Sequence, residues 1–285
     1  MLDPIVYLNG QFLPQSQAQV SVLDRGFIYG DGIYEVIPAY HGKLFRLGEH
    51  LQRLQNSLDA IQLLNPMSVE EWRQTLTDLL AKNTPNGEHQ AIYLQITRGV
   101  AKRDHAFPKD VRPTVFAMAN PLQPVDTSIL ENGVSVITMD DIRWQYCHIK
   151  SIALLANVLL RQQAAQAGAA EALLIRNGFV TEGAASNVFV VRKETIYTPP
   201  KGHQLLPGIT RDLVVELAQQ HNLACEEREI PAEWLDDADE IWLSSSMKDV
   251  LPVTHINGQV VGDGKPGPVW KKMLQLFQAY KESLA

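Results

Sequence analysis

A lysine within an apolar stretch is the residue of this sequence best suited to covalent chemistry. Lys150 follows a segment that contains Ile142, Trp144, Tyr146 and Ile149, so we expect its surroundings to be apolar. Burial lowers the pKa of a lysine, and an uncharged lysine can form a Schiff base with a carbonyl compound. A single lysine is more often a solvated surface residue. Lys150 is therefore a candidate imine-forming residue whose assignment depends on other residues of the chain.

A glutamate provides the second chemical feature. Glu182 lies in the sequence Thr181-Glu182-Gly183, which we predict to be a turn connecting two strands. A glutamate in a turn is usually solvated. If it faced a pyridine nitrogen, however, its carboxylate would keep that nitrogen protonated, and a protonated pyridine ring is an electron sink for a carbanion.

A third feature suits a phosphate group. Gly208, Ile209, Thr210 and Arg211 begin a predicted helix, where backbone N–H groups and the positive helix end attract anions. Arg53 is a candidate cation for the same phosphate, and the serines at 244–246 are further hydroxyl donors. An ordinary helix cap and an exposed helix charge are the alternatives for these residues.

The fourth feature is a group of side chains that suits a carboxylate. Arg103 and His105 lie in a polar loop, and Tyr34 is a possible third member. Converging Arg, His and Tyr side chains would grip a carboxylate, although an isolated Arg-x-His loop is usually exposed. An imine-forming lysine, a partner for a ring nitrogen, a phosphate cradle and a carboxylate clamp together describe a pyridoxal-phosphate enzyme that acts on amino acids.

These residues require a mixture of strands and helices to position them. The predicted strands lie at 33–40, 91–97, 112–120, 133–138, 172–176, 187–191, 195–197, 223–230 and 240–244, with hairpins at 5–13 and 250–261. The predicted helices lie at 46–64, 68–83, 151–167, 210–221 and 268–283, with a loop at 84–88. Ser68 and Glu71 fit a capping box. Runs of strands with interspersed helices favour an α+β fold.

The proline-containing segment NPLQPVD at 120–126 is the best linker in the chain. We therefore predict two domains, residues 1–121 and 122–285.

Composition excludes several classes of protein. An apolar fraction of 45% supports a substantial core, and a net charge of −7 argues against a general nucleic-acid binder. The 2 cysteines are too few for a disulfide framework and have no metal-ligand spacing, so we expect no metal. We find neither a signal peptide nor an apolar run long enough for a membrane span, nor a nucleotide-binding glycine motif. We expect a cytoplasmic protein.

Several runs of residues resemble the class IV (fold type IV) pyridoxal-phosphate aminotransferases, over nearly the whole chain. The matching runs are DRGFIYGDGIYEV (24–36), EHLQRL (49–54), TRGVAKRDHAFP (97–108), DDIRW (140–144), IKS (149–151), TEGAASNVF (181–189) and GITRD (208–212). The resemblance implies a fold with a small N-terminal α/β domain and a larger C-terminal pseudo-barrel domain that binds the cofactor.

The resemblance also implies roles for individual residues. Lys150 would be the Schiff-base lysine and the proton shuttle at the substrate α-carbon, and Glu182 would pair with the pyridine nitrogen. Arg53, Ile209, Thr210 and Ser246 would hold the phosphate, and Leu206 would lie under the ring. Tyr34, Arg103 and His105 match the family's carboxylate trap. Because the Arg and His of that trap come from the partner subunit in this family, a homodimer is implied.

Within the family, the Arg-x-His loop points to the D-amino-acid aminotransferase branch. The implied reaction exchanges amino groups between D-amino acids, such as D-alanine and D-glutamate, and 2-oxo acids, such as pyruvate and 2-oxoglutarate, by a ping-pong mechanism. Ala184 and Ala185 depart from the serines expected in that branch. Branched-chain L-amino-acid aminotransferase, amine transaminase and aminodeoxychorismate lyase are alternatives on the same scaffold, and a non-catalytic cofactor-binding protein is an alternative from another class.

Overall fold

The computed structural model describes residues 3–84 and 89–283. The loop predicted at 84–88 lies almost entirely outside these residues. The described chain separates into two compact units. The first unit contains the residues up to Gln123 together with Ile149–Ala153, and the second contains Pro124–His148 and Leu154–Ser283.

A 6-stranded sheet forms the frame of the first unit. Its strands are β1 (Ile5–Leu8), β2 (Gln11–Pro14), β3 (Gly32–Tyr40), β4 (Lys43–Leu44), β5 (Gln90–Thr97) and β6 (Thr114–Pro121). They lie in the order β2-β1-β6-β5-β3-β4, and each neighbouring pair is antiparallel. β3 and β5 pair along most of their length, which fixes the side chains that β3 presents on each face.

Two long helices cover this sheet. α2 (Leu47–Ala60) and α3 (Val69–Lys82) each bury an apolar stripe, and the core joins these stripes to the inward side chains of β3, β5 and β6. Ser68 caps α3 in the predicted capping box with Glu71. A short additional helix, α1 (Arg25–Tyr29), which the sequence analysis did not predict, is capped by Asp24.

The segment Ile149–Ala153 belongs to the first unit because it pairs with the edge of β3. Ile33 and Ser151 form an antiparallel bridge, and the Ile152 N–H donates to the Gly32 carbonyl at 3.1 Å. Gly32 has no side chain, and a Cβ there would meet the Ile96 carbonyl oxygen at 2.5 Å. The division of the sequence into domains at 121/122 stays a prediction.

A 10-stranded mixed sheet forms the frame of the second unit. Its strands are β7 (Val134–Asp140), β8 (Glu171–Arg176), β9 (Phe179–Gly183), β10 (Asn187–Arg192), β11 (Thr195–Thr198), β12 (Cys225–Glu227), β13 (Ile230–Pro231), β14 (Glu240–Ser245), β15 (Asp249–Ile256) and β16 (Gln259–Val260). The order is β12-β11-β10-β14-β15-β7-β8-β9-β13, with β16 paired to β15. The pairs β7–β8, β7–β15 and β11–β12 are parallel.

The helices of the second unit are α4 (Thr127–Asn132), α5 (Leu155–Gln166), α6 (Ile209–Gln220) and α7 (Pro268–Glu282). α6 contributes the buried side chains Leu213, Val214 and Leu217, and α7 contributes Trp270 and Phe277. Antiparallel and mixed sheets with interspersed helices confirm the predicted α+β class.

Several predicted boundaries were wrong for identifiable reasons. The helix predicted from residue 151 begins at Leu155, because residues 151 and 152 are engaged in backbone pairing with β3. The helix predicted to end at residue 64 ends at Ala60, since Gln62 adopts a left-handed conformation with φ 54°. The helix α4 and the strand β9 were not predicted.

No helix in the described parts of the chain combines the length and apolarity needed to cross a membrane.

Candidate functional site

Hydrogen bonds made by the backbone of Lys150 hold this residue beside Tyr34. The Tyr34 N–H donates to the Lys150 carbonyl at 2.9 Å, and the Lys150 N–H donates to Ser57 Oγ at 3.3 Å. The Lys150 side chain is half-buried, and its Nζ lies 4.2 Å from the centre of the Tyr34 ring. This distance permits a cation–π contact. The first unit therefore brings two predicted site residues, the lysine and the tyrosine, into contact.

The apolar surroundings predicted for Lys150 differ from those found. Ile142, Trp144 and Tyr146 are 57%, 49% and 55% exposed, so three of the four apolar residues before the lysine do not form a buried wall in the single chain. Ile149 is buried in the core of the first unit. The contacts of Lys150 with Tyr34 of β3 and Ser57 of α2 are with residues distant in sequence.

Arg53, predicted to bind phosphate, lies in a buried ionic cluster of the first unit. Its guanidinium donates from Nε and Nη2 to the two oxygens of Glu35 at 2.8 and 2.7 Å. His50 Nδ1 lies 2.8 Å from Glu35 Oε2, and its buried Nε2 has no hydrogen-bond partner among the described residues. Burial has the largest influence on Glu35 and opposes its charge, but Arg53 and His50 together lower its pKa to about 2. Glu35 therefore remains a carboxylate that fixes Arg53.

The predicted carboxylate-binding loop packs against Tyr29 in the first unit. The Arg103 guanidinium lies 5.5 Å from the centre of the Tyr29 ring, and the ring centres of His105 and Tyr29 are 5.4 Å apart. Both loop side chains are exposed. Because their described contacts are with Tyr29, convergence of Arg103 and His105 with Tyr34 stays a prediction.

Glu182 lies on a strand of the second unit and not in a turn as predicted. The turn is at Asn177-Gly178, both with positive φ, and the chain then continues through Glu182 in β9. The carboxylate is buried and accepts hydrogen bonds from the Leu206 N–H at 3.1 Å and from Asn187 Nδ2 at 3.1 Å. It also pairs with the guanidinium of Arg143. The predicted residues Glu182 and Leu206 are thus directly joined.

The charge of Glu182 is finely balanced. Burial is the largest influence and raises its pKa to about 7, although Arg143 and the Leu206 N–H favour the carboxylate. Arg143 also donates two hydrogen bonds to Asp141, each 2.9 Å long, and Asp141 contacts Arg176 at 3.0 Å. Burial would lower the pKa of Arg143, but Asp141 and Glu182 raise it. Arg143 is therefore a permanent cation shared by two carboxylates.

The start of α6 has features that suit an anion. Ile209 and Thr210 form its first turn, and Gly208 is the N-cap without a side-chain cap hydrogen bond. A Cβ at Gly208 would overlap Asn187 Oδ1, so only glycine fits there. Backbone N–H groups at such a helix start are suitable phosphate donors.

Serines follow at the end of β14. Ser244 Oγ is buried and has no hydrogen-bond partner in the described chain, and Ser246 is half-buried in the turn after the strand. A buried hydroxyl without a partner is costly unless a ligand or water satisfies it.

Several charged or polar residues of these clusters were missed by the sequence analysis. Glu35, Asp141, Arg143 and Asn187 all lie within the runs that carry the family resemblance, but no role was assigned to them. Although Asp141 lies two residues before its partner Arg143, Glu35 pairs with Arg53 at a separation of 18 residues and Arg143 pairs with Glu182 at a separation of 39. Only a three-dimensional arrangement reveals such pairs.

Comparisons with known proteins agree on one family. The model of the family described as amino-transferase class IV matches residues 32–256. The D-alanine aminotransferase of Staphylococcus haemolyticus is 43% identical over 280 residues, covering 98% of each chain. The D-alanine aminotransferase of Bacillus licheniformis is 42% identical over 273 residues, covering 96% of this chain and 95% of its own.

Solved structures with the same fold belong to related enzymes. The branched-chain amino acid aminotransferase of Escherichia coli superposes with a TM-score of 0.90 at 27% identity, covering 98% of this chain and 94% of that one. A hypothetical aminotransferase from Mycobacterium tuberculosis, solved in its PLP-bound form, has a TM-score of 0.83 at 25% identity and covers 96% of this chain and 98% of its own. These similarities confirm the predicted family and its fold. The chain belongs to the class IV aminotransferases.

Proposed function

We propose that this protein is a pyridoxal-phosphate-dependent aminotransferase that moves the amino group between D-amino acids and 2-oxo acids. D-alanine and D-glutamate, with pyruvate and 2-oxoglutarate, are the expected substrates. The observation that supports this substrate class best is the 42–43% identity to D-alanine aminotransferases over nearly the full length of both chains. The branched-chain enzyme of Escherichia coli, which has the same fold, is 27% identical.

The residues of the second unit have the chemistry that pyridoxal phosphate requires. A buried carboxylate with a pKa of about 7, Glu182, suits a hydrogen bond to a ring nitrogen, because both groups can share a proton near neutral pH. Two features suit phosphate oxygens: the start of α6, and the Ser244 hydroxyl, which has no hydrogen-bond partner among the described residues. When bound, the cofactor supplies a carbonyl carbon that accepts the amino group and a ring that withdraws electrons from the substrate α-carbon.

Each residue predicted to bind the cofactor then has a proposed role in holding it. Glu182 would hold the ring nitrogen, with Arg143 and Asn187 fixing the orientation of its carboxylate. Leu206 would lie under the ring. The residues proposed to hold the phosphate are Arg53, Ile209, Thr210 and Ser246.

Lys150 would be the covalent and proton-transferring residue. Its Nζ would take the proton from the substrate α-carbon, which requires the uncharged amine. Tyr34 would also be one member of the carboxylate trap, with Arg103 and His105 as the other members.

We further propose a homodimer in which the loop with Arg103 and His105 reaches the site of the partner. Both units of the single chain expose large apolar side chains, among them Val22, Phe27, Trp144 and Leu155. Exposed apolar groups of this size are typical of surfaces that another protein covers. A cytoplasmic location is also proposed, and the free thiols Cys147 and Cys225 suit a reducing compartment.

Steady-state assays with defined substrate pairs test the proposed function. The protein should convert D-alanine and 2-oxoglutarate to pyruvate and D-glutamate, and chiral chromatography should find no L-glutamate. Parallel lines in double-reciprocal plots of initial rate against substrate concentration would indicate a ping-pong mechanism. Transfer from L-leucine in place of D-alanine would instead indicate a branched-chain enzyme. Pyruvate from aminodeoxychorismate would indicate a lyase, transfer from simple amines an amine transaminase, and no turnover of any of these a non-catalytic protein.

A further inference from the structure

The loop that carries Arg103 and His105 is closed at its base. We call residues 99–112 the substrate loop. The Arg25 N–H donates to the Gly99 carbonyl at 2.9 Å, and Asp24 and Val100 form an antiparallel bridge. Gly99 has φ 95°, and a Cβ there would overlap the Arg112 carbonyl oxygen. The two ends of the substrate loop therefore touch, which limits the positions that its tip can take.

One buried side chain organises the tip of the substrate loop. The Arg25 guanidinium lies within hydrogen-bond distance of three consecutive carbonyl oxygens, at 2.5 Å for Asp104, 3.5 Å for His105 and 3.4 Å for Ala106. Arg25 is 4% exposed. The planar fork of an arginine can bind several acceptors at once, whereas a lysine ammonium lacks this fixed geometry. Arg25 thus holds the backbone of the residues on both sides of His105.

A carboxylate holds this arginine and a second one in place. Asp31 Oδ2 accepts from Arg25 Nε at 2.7 Å and from Arg98 Nε at 2.8 Å. The Arg98 guanidinium lies 3.7 Å from the centre of the ring of Phe107, and its Nη2 donates to the Ile61 carbonyl at 2.7 Å. Arg98 therefore anchors the substrate loop at a second point.

The helix α1 supplies both the anchor and a packing surface. Arg25 and Tyr29 are four residues apart, so they lie on the same side of this single turn. The Tyr29 ring contacts the guanidinium groups of Arg25 at 4.9 Å and of Arg103 at 5.5 Å, and it packs against the ring of His105. The two proposed carboxylate-binding side chains thus rest on a ring whose position is tied to the anchor.

We infer that Arg25, Asp31 and Arg98 are positioning residues that fix Arg103 and His105 for binding the substrate carboxylate. This inference rests on the proposed function, because it assigns the substrate loop to carboxylate binding. Arg25 and Arg98 act through the loop backbone and Phe107, and Asp31 acts by holding both arginines. Fixing the loop before binding reduces the entropy lost when the carboxylate binds. Loosening the loop should therefore weaken carboxylate binding more than it slows proton transfer at Lys150.

The test uses Arg25→Lys, which keeps the charge but loses the fork. We expect the KM for D-alanine to rise about tenfold, the equivalent of one hydrogen bond to a charged group, while kcat stays within about threefold. Calorimetry with propionate, which has the carboxylate but no amino group, should give a Kd about tenfold higher. Lys272→Ala, which removes an exposed positive charge from α7, outside the substrate loop, is the control and should leave both quantities unchanged.

A second variant keeps the inference testable if Arg25→Lys does not fold. Asp31→Asn leaves both arginines in place and removes the charge that holds them, and we expect KM and the propionate Kd to rise in the same direction. Unchanged KM and propionate Kd in both folded variants would overturn the inference, as would a fall in kcat without a change in KM. If the unaltered protein fails to transfer an amino group from D-alanine, the proposed function fails, whereas propionate binding by the same variants still tests the anchor.

Discussion

Each unit contains a buried glutamate that pairs with an arginine, yet the two glutamates differ in their charge. Glu35 of β3 has its pKa lowered to about 2, whereas Glu182 of β9 has its pKa raised to about 7. Burial raises the pKa of both carboxyl groups and is the largest influence on each. The difference therefore comes from the partners that each carboxylate has.

The number of charges around each arginine accounts for the difference. Arg53 donates two hydrogen bonds to Glu35, and His50 contributes a further contact. Arg143 donates two hydrogen bonds to Asp141 and one to Glu182, and the nearby charge of Asp141 raises the pKa of Glu182. We infer that Glu35 is a fixed structural anion, and that Glu182 is poised to share a proton with a bound group.

The largest expected effect is the loss of stability in Glu35→Gln. The substitution leaves the buried charge of Arg53 without its carboxylate, and breaking a buried ion pair from one side costs about 3–5 kcal/mol. Urea unfolding should show a free energy of unfolding lower by this amount. The exposed Glu71 offers a control, since Glu71→Gln removes a carboxylate that is not buried. A loss below about 1 kcal/mol would contradict a structural role for Glu35.

Glu182→Gln should show the opposite pattern. A neutral amide lacks the negative charge that favours the protonated ring nitrogen, so we expect kcat to fall by about 10²–10³, as for the loss of one preorganised electrostatic contact. Arg143 keeps its two hydrogen bonds to Asp141, so the free energy of unfolding should change by less than about 2 kcal/mol. Steady-state kinetics and urea unfolding on the same preparation provide both values. Normal kcat with strongly reduced stability would reverse the assignments of the two glutamates.

The pH dependence of stability should have opposite signs for the two carboxyl groups. Because the pKa of Glu182 rises from 4.5 to about 7 on folding, its stabilising contribution is present below pH 4.5 and is lost as the pH rises through about 7. The contribution of Glu35, whose pKa falls from 4.5 to about 2, is present above pH 4.5 and is lost as the pH falls through about 2.

Cofactor-free protein measured from pH 2 to 8 tests these signs. From pH 4.5 to 7, the unfolding free energy of the unaltered protein relative to Glu182→Gln should fall by roughly 3 kcal/mol. The same difference for Glu35→Gln should instead grow as the pH rises from 2 to 4.5. If these differences in unfolding free energy changed with pH in the same direction for both variants, the partners would not distinguish the two buried carboxylates.

The smallest loss of stability is expected from weakening the capping box of α3, whose carboxylate, Glu71, is exposed. Hydrogen bonds from the Ser68 backbone and side chain lower the pKa of Glu71, which belongs to the capping box of α3. Ser68→Ala should lower the free energy of unfolding by about 1 kcal/mol without changing kcat. Thr77→Ala, an exposed substitution within the same helix, is the control for loss of a hydroxyl. If Ser68→Ala lowered the free energy of unfolding as much as Glu35→Gln does, the distinction between buried and exposed carboxylates would be contradicted.

Local sequence patterns predicted much of the fold. The Ser68–Glu71 capping box and the hairpin predicted at 5–13 depend on neighbouring residues, and the structure contains both. The predicted start of α5 was wrong because residues 151 and 152 pair with a strand distant in sequence. The strand containing Glu182 was missed although its partner β8 is the preceding strand of the same hairpin. Residues 151 and 152 pair with β3, and Val180 and Gly183 of β9 pair with β8.

The candidate site was predictable as a set of residues but not as a set of contacts. The motifs named Lys150, Tyr34 and Glu182, and the structure joins the first two in one unit. The partners that set charge and position were not evident, because Asp31 must meet both Arg25 and Arg98 through folding of the chain. A sequence motif marks where a side chain is needed, and the ionic neighbours that tune it depend on packing.

The visible spectrum of the purified yellow protein is the most direct test of the proposed D-amino-acid transfer. The protein is mixed with D-alanine or, separately, with L-alanine, and no 2-oxo acid is added. We predict that the cofactor band bleaches with D-alanine alone, returns when 2-oxoglutarate is added, and does not change in Lys150→Ala. Bleaching with L-alanine but not D-alanine, or unaltered bleaching in Lys150→Ala, would contradict the account.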